Sequence, residues 1–386
     1  MQNILFEKEK IGELELKNRF LMSAGTGTWN ADQDNIPHDG DGYIHFEIAS
    51  GGVAMVISGG LNVSPSGVST SHSGMFADDR SAPFMSIFAK RIKDGGALAC
   101  LQISHGGMWA WKYAKKRNIA PFAPSFIVDA ELGDYSVSRR IDLPATEGQI
   151  CELIEAYGNA ALRAKKCGFD AVEVHAAHEA LLSQMLSPVS NIRKDKWGGS
   201  VENRARFHIE VLRNIRSKVG KSFPVIMKLG VKDMLEGGLS FEDGVAAAKI
   251  ITEKGGVDAI EVSQGLSPGL LDFAYSSMRT GITRLENEGY YRHWAKLVKG
   301  AISHTGAKVI MQGGLRSFEL MQEVIEKKEA DFVSMCRPYI CESAIIKRWM
   351  GSDRKKSACI SCNKCIIRAY TEGKKLECVL KSGNGG

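Results

Sequence analysis

Four cysteines near the C-terminal end of the chain form the most specific chemical motif in the sequence. Cys359, Cys362 and Cys365 are separated by two residues each, and Cys378 follows after twelve intervening residues. Three closely spaced thiolates with a distant fourth can ligate a cubane cluster, whereas structural zinc ribbons pair one C-x2-C unit with another. The spacing therefore favours a [4Fe–4S] cluster, with zinc as the alternative.

Two histidines and one lysine stand at the end of, or inside, strongly apolar runs. His175 and His178 end the run that starts at Ala171. Imidazoles three residues apart could bind a metal, exchange protons or hydrogen-bond a substrate oxygen. Lys228 lies within the apolar run 225–229, where a buried charge needs a partner. It could be a Schiff-base nucleophile, or a fixed cation that stabilises negative charge on a bound ring.

Eight short apolar runs, each followed by a helical pattern, must position these side chains. The runs are continuous rather than alternating, which is typical of parallel strands buried on both faces. Their strict alternation with helices predicts a closed (β/α)8 TIM barrel rather than an open sheet. The predicted strands are Phe20–Ser23, Val53–Ser58, Leu98–Ser104, Ala171–His175, Pro224–Leu229, Ala259–Ser263, Lys308–Gln312 and Phe332–Cys336.

Barrel enzymes carry their active sites at the C-terminal ends of the strands. Gly313 and Gly314 follow the seventh predicted strand, and Cys336 and Arg337 follow the eighth. Glycine lets backbone N–H groups approach an anion and arginine adds a bidentate clamp, so these two strand ends predict a phosphate site. The other strand ends are also polar or glycine-rich, which predicts one active site at this mouth.

Three further segments surround the predicted barrel. Residues 4–17 predict a small hairpin that plugs the barrel from below. Residues 105–145 form a long insertion after the third strand, and we expect it to overhang the active site as a lid. The chain is accordingly divided into a barrel over residues 1–350 and a cysteine-rich segment over 351–386. The aromatic residues of the insertion are Trp109, Trp111, Tyr113, Phe122, Phe126 and Tyr135.

Charge and composition favour an enzyme that binds small molecules. The formal charge of +6 is scattered, and the clusters 115–117 and 354–356 are interpreted as solvated loops rather than a nucleic-acid surface. No apolar run approaches the roughly 20 residues that span a bilayer, and no secretory signal is apparent. We therefore expect a cytoplasmic protein with reduced cysteines and no membrane or nucleic-acid partner.

At this point the motifs resemble a known family, the old yellow enzymes. The resemblance covers essentially the whole chain, and its most distinctive stretch is the run from Leu186 to Phe207. The cysteine tail resembles the iron–sulfur branch that contains bacterial 2,4-dienoyl-CoA reductase and trimethylamine dehydrogenase. The shared motifs are Asn18-Arg19, Ser23–Thr26, Ser58-Gly59-Gly60, Leu101–His105, Val174–His178 and the run LSPVSNIRKDKWGGSVENRARF.

The resemblance implies FMN at the barrel mouth and a role for each strand-end residue. His175 and His178 would bind an electron-withdrawing oxygen of the substrate, with NAD(P)H as a candidate reductant. Ser23, Ala24 and Thr26 would line the flavin ring, Gly60 and Gln102 would contact its pyrimidine side, Lys228 would lie near N1 and O2, and Gly313, Gly314, Cys336 and Arg337 would hold the phosphate.

The sequence departs from the family pattern at three points. Ala180 stands where relatives commonly have a tyrosine proton donor, for which His105, Tyr113, Tyr275 and Tyr290 are candidate substitutes. Lys228 stands where many relatives have arginine. Lysine keeps the positive charge but lacks the planar, forked set of N–H donors of a guanidinium. The long relatives continue into FAD and NAD(P) domains. Without such domains, electrons are expected from a partner protein through the cluster or directly from NAD(P)H.

These features predict reduction of an activated C=C bond in an enone, enoate or enoyl thioester by hydride transfer from flavin N5. The alternative is a dehydrogenase or demethylase that passes substrate electrons out through the cluster. A Schiff-base lyase with a zinc-stabilised tail and an electron-transfer subunit without substrate chemistry are further alternatives. A homo-oligomer is expected.

Overall fold

Eight parallel strands close into a barrel in the computed structural model, which describes residues 3–25, 31–38, 42–71, 73–129, 139–267, 278–372 and 375–381. Each strand pairs with the next along the chain, and the eighth pairs with the first. The predicted (β/α)8 TIM barrel is therefore confirmed. The strands are β1 (Phe20–Met22), β2 (Met55–Ile57), β3 (Leu98–Ser104), β4 (Ala171–Ala176), β5 (Val225–Gly230), β6 (Ala259–Ser263), β7 (Lys308–Met311) and β8 (Phe332–Met335).

The barrel helices begin at the start signals that the sequence supplies. Thr146 and Gln149 form a reciprocal capping box, because the Thr146 Oγ1 accepts from the Gln149 N and the Gln149 Oε1 accepts from the Thr146 N. Ser200 and Ser240 cap the next two helices, because their side chains accept from the Asn203 N and the Asp243 N. The helices are α1 (Gly42–Ser50), α2 (Ala82–Asp94), α3 (Glu147–Lys166), α4 (Val201–Val219), α5 (Phe241–Gly255), α6 (Arg292–Ile302), α7 (Phe318–Glu326) and α8 (Ile345–Met350).

The lower barrel interior is filled by apolar side chains from alternate strand positions. Leu21, Ile57 and Phe332 are fully buried there and pack together. Fully burying such a side chain contributes about 1.5–3 kcal/mol. Higher along the strands the inward positions become charged, at Glu173 and Lys228, so the polar groups lie toward the end where active sites of barrels are found.

The N-terminal hairpin closes the barrel from below, as the sequence predicted. Strand Glu9–Ile11 pairs antiparallel with strand Leu14–Leu16. Ile11 and Leu16 are fully buried in the same apolar cluster as the lower barrel interior. Their burial seals the end of the barrel opposite the charged layer.

The insertion after β3 folds as short elements rather than as an irregular loop. It contains a single-turn segment Gly107–Ala110, a helix Trp111–Lys116 and a hairpin of strands Phe126–Asp129 and Arg139–Asp142. Met108, Ala123 and Phe126 form its small core, with Trp109 and Trp111 packed against them. Tyr135 lies outside the described residues, and the function of the insertion as a lid stays a prediction.

The C-terminal segment packs on the barrel beside the end of β8. A short helix, Arg337–Cys341, follows β8 directly, and a further helix, Lys364–Glu372, contains one of the motif cysteines. Cys365 and Cys378 are buried against Ile340 and Ile366. In the described part of the chain, no helix is long and apolar enough to cross a membrane.

Candidate active site

Lys228 is the centre of a charged network at the upper end of the barrel interior. In register, β5 places Lys228 beside His175 of β4 and Glu261 of β6. The Nζ atom lies 3.0 Å from the Glu261 carboxylate and 3.8 Å from that of Glu173, and it donates to the Ser23 Oγ at 2.9 Å. The lysine side chain is only 1% exposed. Lys228 is therefore buried, as its position in the apolar run 225–229 predicted, and Glu261, Glu173 and Ser23 are the partners that its burial requires.

The pKa values of the two carboxyl groups of this network shift in opposite directions. Burial raises the pKa of Glu173 well above its ordinary value. Burial also acts to raise the pKa of Glu261, but Lys228 and hydrogen bonds from Glu173 and Ser334 lower it overall. Of the two carboxyl groups, Glu173 therefore holds a proton more tightly than Glu261, and Glu261 is the better partner for the Lys228 ammonium. Gln102 donates to the Glu173 Oε2 at 2.6 Å, and Ser334 donates to the Glu261 Oε1 at 2.5 Å.

This network favours the fixed-cation interpretation of Lys228. Burial opposes the charge of the lysine, but Glu261 and Glu173 raise its pKa above the ordinary value. A nucleophilic lysine needs a depressed pKa to present a free amine. The Schiff-base alternative is accordingly disfavoured by the geometry.

His175 and His178 lie side by side at the end of β4. Their ring centroids are 5.2 Å apart with an interplanar angle of 66°. His178 Nε2 lies 2.6 Å from the Ser263 Oγ, which also accepts from Gln312 at 2.7 Å. The Nδ1 atom of His175 is buried and has no hydrogen-bond partner among the described residues. A buried imidazole nitrogen of this kind is available to a bound ligand.

Both imidazoles are neutral at physiological pH. Burial, with a contribution from Lys228, lowers the pKa of His175 to about 3. Burial, the neighbouring His175 and Lys228 lower the pKa of His178 well below its ordinary value. Each ring therefore offers one N–H donor and one acceptor nitrogen, rather than a positive charge.

The residues predicted to line a flavin ring meet the charged network. Ser23 accepts from Lys228, and Ala24 is half-buried beside it. A Cβ atom added at Gly60 would lie 3.0 Å from the Gln102 Oε1, so the second and third strand ends touch. Thr26, which was predicted to line the flavin ring, lies outside the described residues.

The double glycine after β7 lies against an aromatic ring. Gly313 and Gly314 have φ values of +109° and +75°, which side chains disfavour. Added Cβ atoms would lie 3.0 Å and 2.7 Å from the ring of Tyr290, so only glycine fits at both positions. The guanidinium of Arg279 is stacked 4.4 Å from the centroid of the same ring. The sequence analysis did not identify Arg279.

The end of β8 joins this double-glycine region to the cysteine segment. Arg337 is buried, and its Nη1 donates to the Arg279 carbonyl at 2.9 Å and to the Asn363 Oδ1. Cys336 is partly buried, and the desolvation of its thiol raises its pKa to about 11. A Cβ atom added at Gly25 would lie 2.6 Å from the Cys336 Sγ, so the first and eighth strand ends are in contact. Arg337 thus faces the cysteine loop, a contact that the sequence did not predict.

The four motif cysteines line one cavity at the surface of the barrel. Among the described residues, no group of three or more His, Cys, Asp or Glu side chains converges closely enough to bind a single metal ion. Ser361 and Asn363, between the first three cysteines, have φ values of +55° and +59° and turn the loop around the cavity. The lining residues are Arg337, Cys359, Ile360, Ser361, Cys362, Asn363, Cys365, Cys378, Val379 and Leu380.

Comparison with known proteins identifies the family of this chain. A model of the NADH:flavin oxidoreductase / NADH oxidase family matches residues 4–354. The chain belongs to this family. The resemblance to flavin oxidoreductases found in the sequence is therefore confirmed at the level of the family.

Three relatives define how far the likeness of this flavin oxidoreductase extends. The NADH oxidase of Thermoanaerobacter brockii is 31% identical over 382 residues, which are 97% of this chain and 55% of that protein. The NADPH dehydrogenase of Clostridium acetobutylicum is 28% identical over 95% of this chain and 99% of its own length. A structure of 2-naphthoyl-CoA reductase with 2-naphthoyl-CoA has a TM-score of 0.83 at 27% identity, over 97% of this chain and 56% of that chain. The chain thus spans about half the length of two of these relatives.

Two of the candidate proton donors in this flavin oxidoreductase are already engaged. His105 is fully buried, its Nδ1 accepts from the Gly107 N at 3.0 Å, and its Nε2 lies 3.0 Å from the Ser66 Oγ. The Tyr113 hydroxyl donates to the Asn35 Oδ1 at 3.2 Å. Tyr275 lies outside the described residues. These contacts leave the proton source of the reaction unassigned.

Glu179 is a buried carboxyl group beside the histidine pair. It and His178 have left-handed φ values of 65° and 51°, which residues other than glycine rarely adopt. The Glu179 Oε1 accepts from both the backbone N and the hydroxyl of Ser267, so it ties the end of β4 to the loop after β6. Burial raises the pKa of Glu179 to about 7, the hydrogen bonds from Ser267 oppose this rise, and the charge of Asp233 adds to it.

Replacing Glu179 by glutamine is expected to flatten the pH dependence of stability in this flavin oxidoreductase. The folded pKa lies above the ordinary value of 4.5, so the folded state holds the proton more tightly than the unfolded chain. The stabilisation is present at low pH and is lost as the pH rises from 4.5 to about 7, with a total of about 3 kcal/mol. Urea unfolding at pH 5 and pH 8 should show a smaller difference for E179Q, because the amide keeps the acceptor without the charge.

The matched control is Glu236→Gln, on an exposed glutamate in the loop after β5. This variant should retain the wild-type difference between the two pH values. If E179Q retains it as well, Glu179 does not titrate in this range.

Proposed function

We propose that this chain is an FMN- and [4Fe–4S]-dependent oxidoreductase that reduces an activated C=C bond of an enone, enoate or enoyl thioester. The observation that carries the proposal is the pair His175 and His178, neutral and adjacent, with a buried Nδ1 atom of His175 that has no partner among the described residues. Neutral N–H donors match a carbonyl oxygen that becomes more negative during reduction. The fixed cation Lys228 stands beside them.

The barrel mouth has features that fit FMN. Lys228 supplies a buried positive charge where the flavin pyrimidine is expected, and Ser23 and Gln102 are held at the same level by hydrogen bonds. The double glycine Gly313-Gly314 follows β7, where barrels commonly bind phosphate, and the ring of Tyr290 lies against both residues. Bound FMN would supply hydride from N5.

The residues of the chain would act on the substrate in three ways. His175 and His178 would donate hydrogen bonds to the electron-withdrawing oxygen, which makes the β-carbon electrophilic. Lys228 would stabilise negative charge on the ring that lies against it. The aromatic insertion after β3 would exclude water from the site.

The four-cysteine cavity supports the proposal of an iron–sulfur cluster, because its lining supplies the thiol groups that such a cluster needs. Its thiol groups belong to a loop whose turns are fixed by the left-handed residues Ser361 and Asn363, and buried arginines contact its backbone and side chains. Cys359, Cys362, Cys365 and Cys378 would be the ligands of the [4Fe–4S] cluster, which would relay single electrons.

Electron supply has two candidate routes. NAD(P)H as direct reductant is supported by relatives that are named NADH oxidase and NADPH dehydrogenase. A separate carrier protein is supported by the surface at the cysteine cavity, where Ile360 and Leu380 are 47% and 43% exposed. Residues 353–381 contain eight basic and three acidic side chains, so the formal charge of +6 is concentrated in this segment rather than scattered as first interpreted. An acidic carrier would match it.

A second candidate is oxidation of the substrate, with electrons leaving through the cluster. It is favoured by Ala180, which is buried and has no proton to donate, and by the engagement of His105 in structural hydrogen bonds. A reaction that removes hydride does not need a proton donor at this position.

An anaerobic assay distinguishes the two reactions. The protein is purified without oxygen, and iron, sulfide and flavin are quantified per chain. The reduced flavin is then mixed with a panel of enones, and the oxidised protein with amines and an artificial acceptor. Reduction predicts that at least one enone reoxidises the flavin. If no enone does so while an amine reduces the flavin, the reaction runs in the oxidising direction.

Replacing Cys362 by serine is expected to remove the cluster while the flavin is retained. Serine is a poor ligand for iron in such a site, and the barrel mouth does not include this residue. Iron and sulfide per chain should fall to a small fraction of the wild-type content. The matched control is Cys151→Ser, on an exposed cysteine of α3. Wild-type iron content in C362S would contradict the assignment of the ligands.

The predicted homo-oligomer has support from the outer helices. Tyr43 and Phe46 of α1 and Ile87 of α2 are exposed apolar side chains. Light scattering of the purified protein tests this prediction, and a monomeric mass would refute it.

A further inference from the structure

Arg316 is a buried arginine that connects the barrel to the cysteine loop. It follows Gly314 by two residues and is only 3% exposed. Its Nε donates to the Cys359 carbonyl at 3.2 Å, its Nη2 to the Ser361 hydroxyl and its Nη1 to the Leu315 carbonyl at 2.7 Å. Two of its three nitrogens therefore bind the loop that carries the first two motif cysteines.

The guanidinium of Arg316 lacks a carboxylate partner in the described part of the chain. The carboxylate of Glu288 is engaged by other donors. Its Oε2 accepts from the backbone N of Arg316 and of Ser317, and its Oε1 accepts from the Ser317 Oγ. Burying a charge without a counter-charge costs several kcal/mol. Arg204 shows the usual solution, since it is 6% exposed and lies 2.7 Å from the Asp243 carboxylate.

The charge of Glu288 acts on the Arg316 guanidinium without an ion pair, and an anionic group in the neighbouring cavity would supply a further counter-charge. The cavity is lined by four cysteines, and thiolates that ligate a cubane give the whole cluster a negative charge. Arg337, which is also buried, lines the same cavity and binds Asn363 of the loop. Both guanidinium groups donate only to carbonyl, hydroxyl and amide oxygens in the described residues.

We propose that Arg316 is the charge-compensating and positioning residue of the iron–sulfur cluster. The inference rests on the cluster of the proposed function. Arg316 holds the Cys359–Cys362 loop through its hydrogen bonds and stabilises the negative charge of the cluster. Because reduction adds a further negative charge, a nearby cation favours the reduced cluster. A residue that served only to hold the loop would not have this electrostatic effect.

The test compares Arg316→Met, Arg316→Lys and the control Arg204→Lys in the cluster-loaded protein. The midpoint potential of the cluster is measured by a redox titration followed by electron paramagnetic resonance. In R316M the ratio of reduced to oxidised cluster at the wild-type midpoint potential should fall about tenfold, which corresponds to about 59 mV for a one-electron couple. R316K keeps the charge, so its ratio of reduced to oxidised cluster should fall by much less than that of R316M. The ratio in R204K should equal that of the wild type.

Thermal unfolding of loaded and cluster-free protein gives a second readout. R316M should lower the melting temperature of the loaded protein more than that of the cluster-free protein, because both forms lose the hydrogen bonds of Arg316 but only the loaded form loses its attraction to the cluster. Equal destabilisation of both forms would overturn the proposal in favour of a purely structural role.

The remaining outcomes are assigned as follows. Iron retained by R316K but lost by R316M supports the proposal, whereas iron lost by both variants overturns the role of charge. An unchanged midpoint potential in R316M also overturns it. Wild-type protein that contains no iron or sulfide would refute the cluster itself, and with it the cofactor of the proposed function.

Discussion

Replacing Lys228 by methionine is expected to lower the free energy of unfolding by about 3–5 kcal/mol, because it leaves a buried charge without its partner. The ammonium is 3.0 Å from the Glu261 carboxylate, and both side chains are almost fully buried. Glu173 is a poor substitute for the lost interaction, since burial raises its pKa well above the ordinary value and so disfavours its charged form. Urea unfolding at neutral pH measures the loss, and flavin content per chain should fall with it.

The pH dependence of this variant follows from the same network. Lys228 holds the pKa of Glu261 below its ordinary value against the effect of burial. Without the lysine, burial alone acts, and the folded pKa of Glu261 should rise above its unfolded value. The native state then binds a proton more tightly than the unfolded chain, so K228M should become more stable as the pH falls from 8 to 5.

Two further variants make the prediction specific. K228M combined with Glu261→Gln removes both charges, and it should recover most of the stability that the single variant loses. Lys232→Met, on an exposed lysine just after β5, should have little effect. If K228M unfolds within 1 kcal/mol of the wild type, the ion pair with Glu261 does not stabilise the core.

The sequence was sufficient to predict the barrel because its signals are local. Continuous apolar runs identify each buried strand, and a capping box such as Thr146 with Gln149 identifies a helix start. The residues that follow each strand must then share one end of the barrel, whatever the details of packing. For this reason the relation between Lys228 and the histidine pair was predictable without coordinates.

The partners of these residues were less predictable. Glu173 and Glu261 are charged residues inside apolar strands, the same signal that identified Lys228, and they could have been found by applying it to β4 and β6. Arg316 has no such signal, because it lies in a loop where arginine is ordinary. Its burial and its contact with Ser361 depend on how the C-terminal segment packs on the barrel, which sequence spacing does not specify.

Replacing His175 by alanine is expected to lower kcat/KM for the reduced substrate by about 10²–10³, the usual cost of one donor to a developing negative charge. The ring lies at the end of β4 with its Nδ1 buried and without a partner among the described residues. Asparagine at this position keeps an N–H donor, so H175N should retain more activity than H175A. Anaerobic steady-state kinetics with the best enone of the panel measures both.

The neutrality of the imidazoles makes a further consequence testable in the same experiment. Because burial lowers the pKa of His175 to about 3, the ring does not change charge between pH 5 and pH 8. A catalytic imidazolium would lose its proton in this range, and kcat/KM would fall as the pH rises. We therefore expect kcat/KM of the wild type and of H175N to depend on pH in the same way between pH 5 and pH 8. The reason is that His175 acts by hydrogen bonding rather than by proton transfer.

His208 of α4 provides the matched control for the histidine variants. It is also fully buried, and burial lowers its pKa to about 3, but it lies in a helix of the outer layer. His208→Ala should therefore lower the free energy of unfolding and leave kcat/KM of the folded protein unchanged. A buried imidazole affects hydride transfer only where its N–H contacts the substrate. Equal losses of kcat/KM in H175A and H208A would therefore show that burial of the ring, and not its position at the barrel mouth, explains the effect.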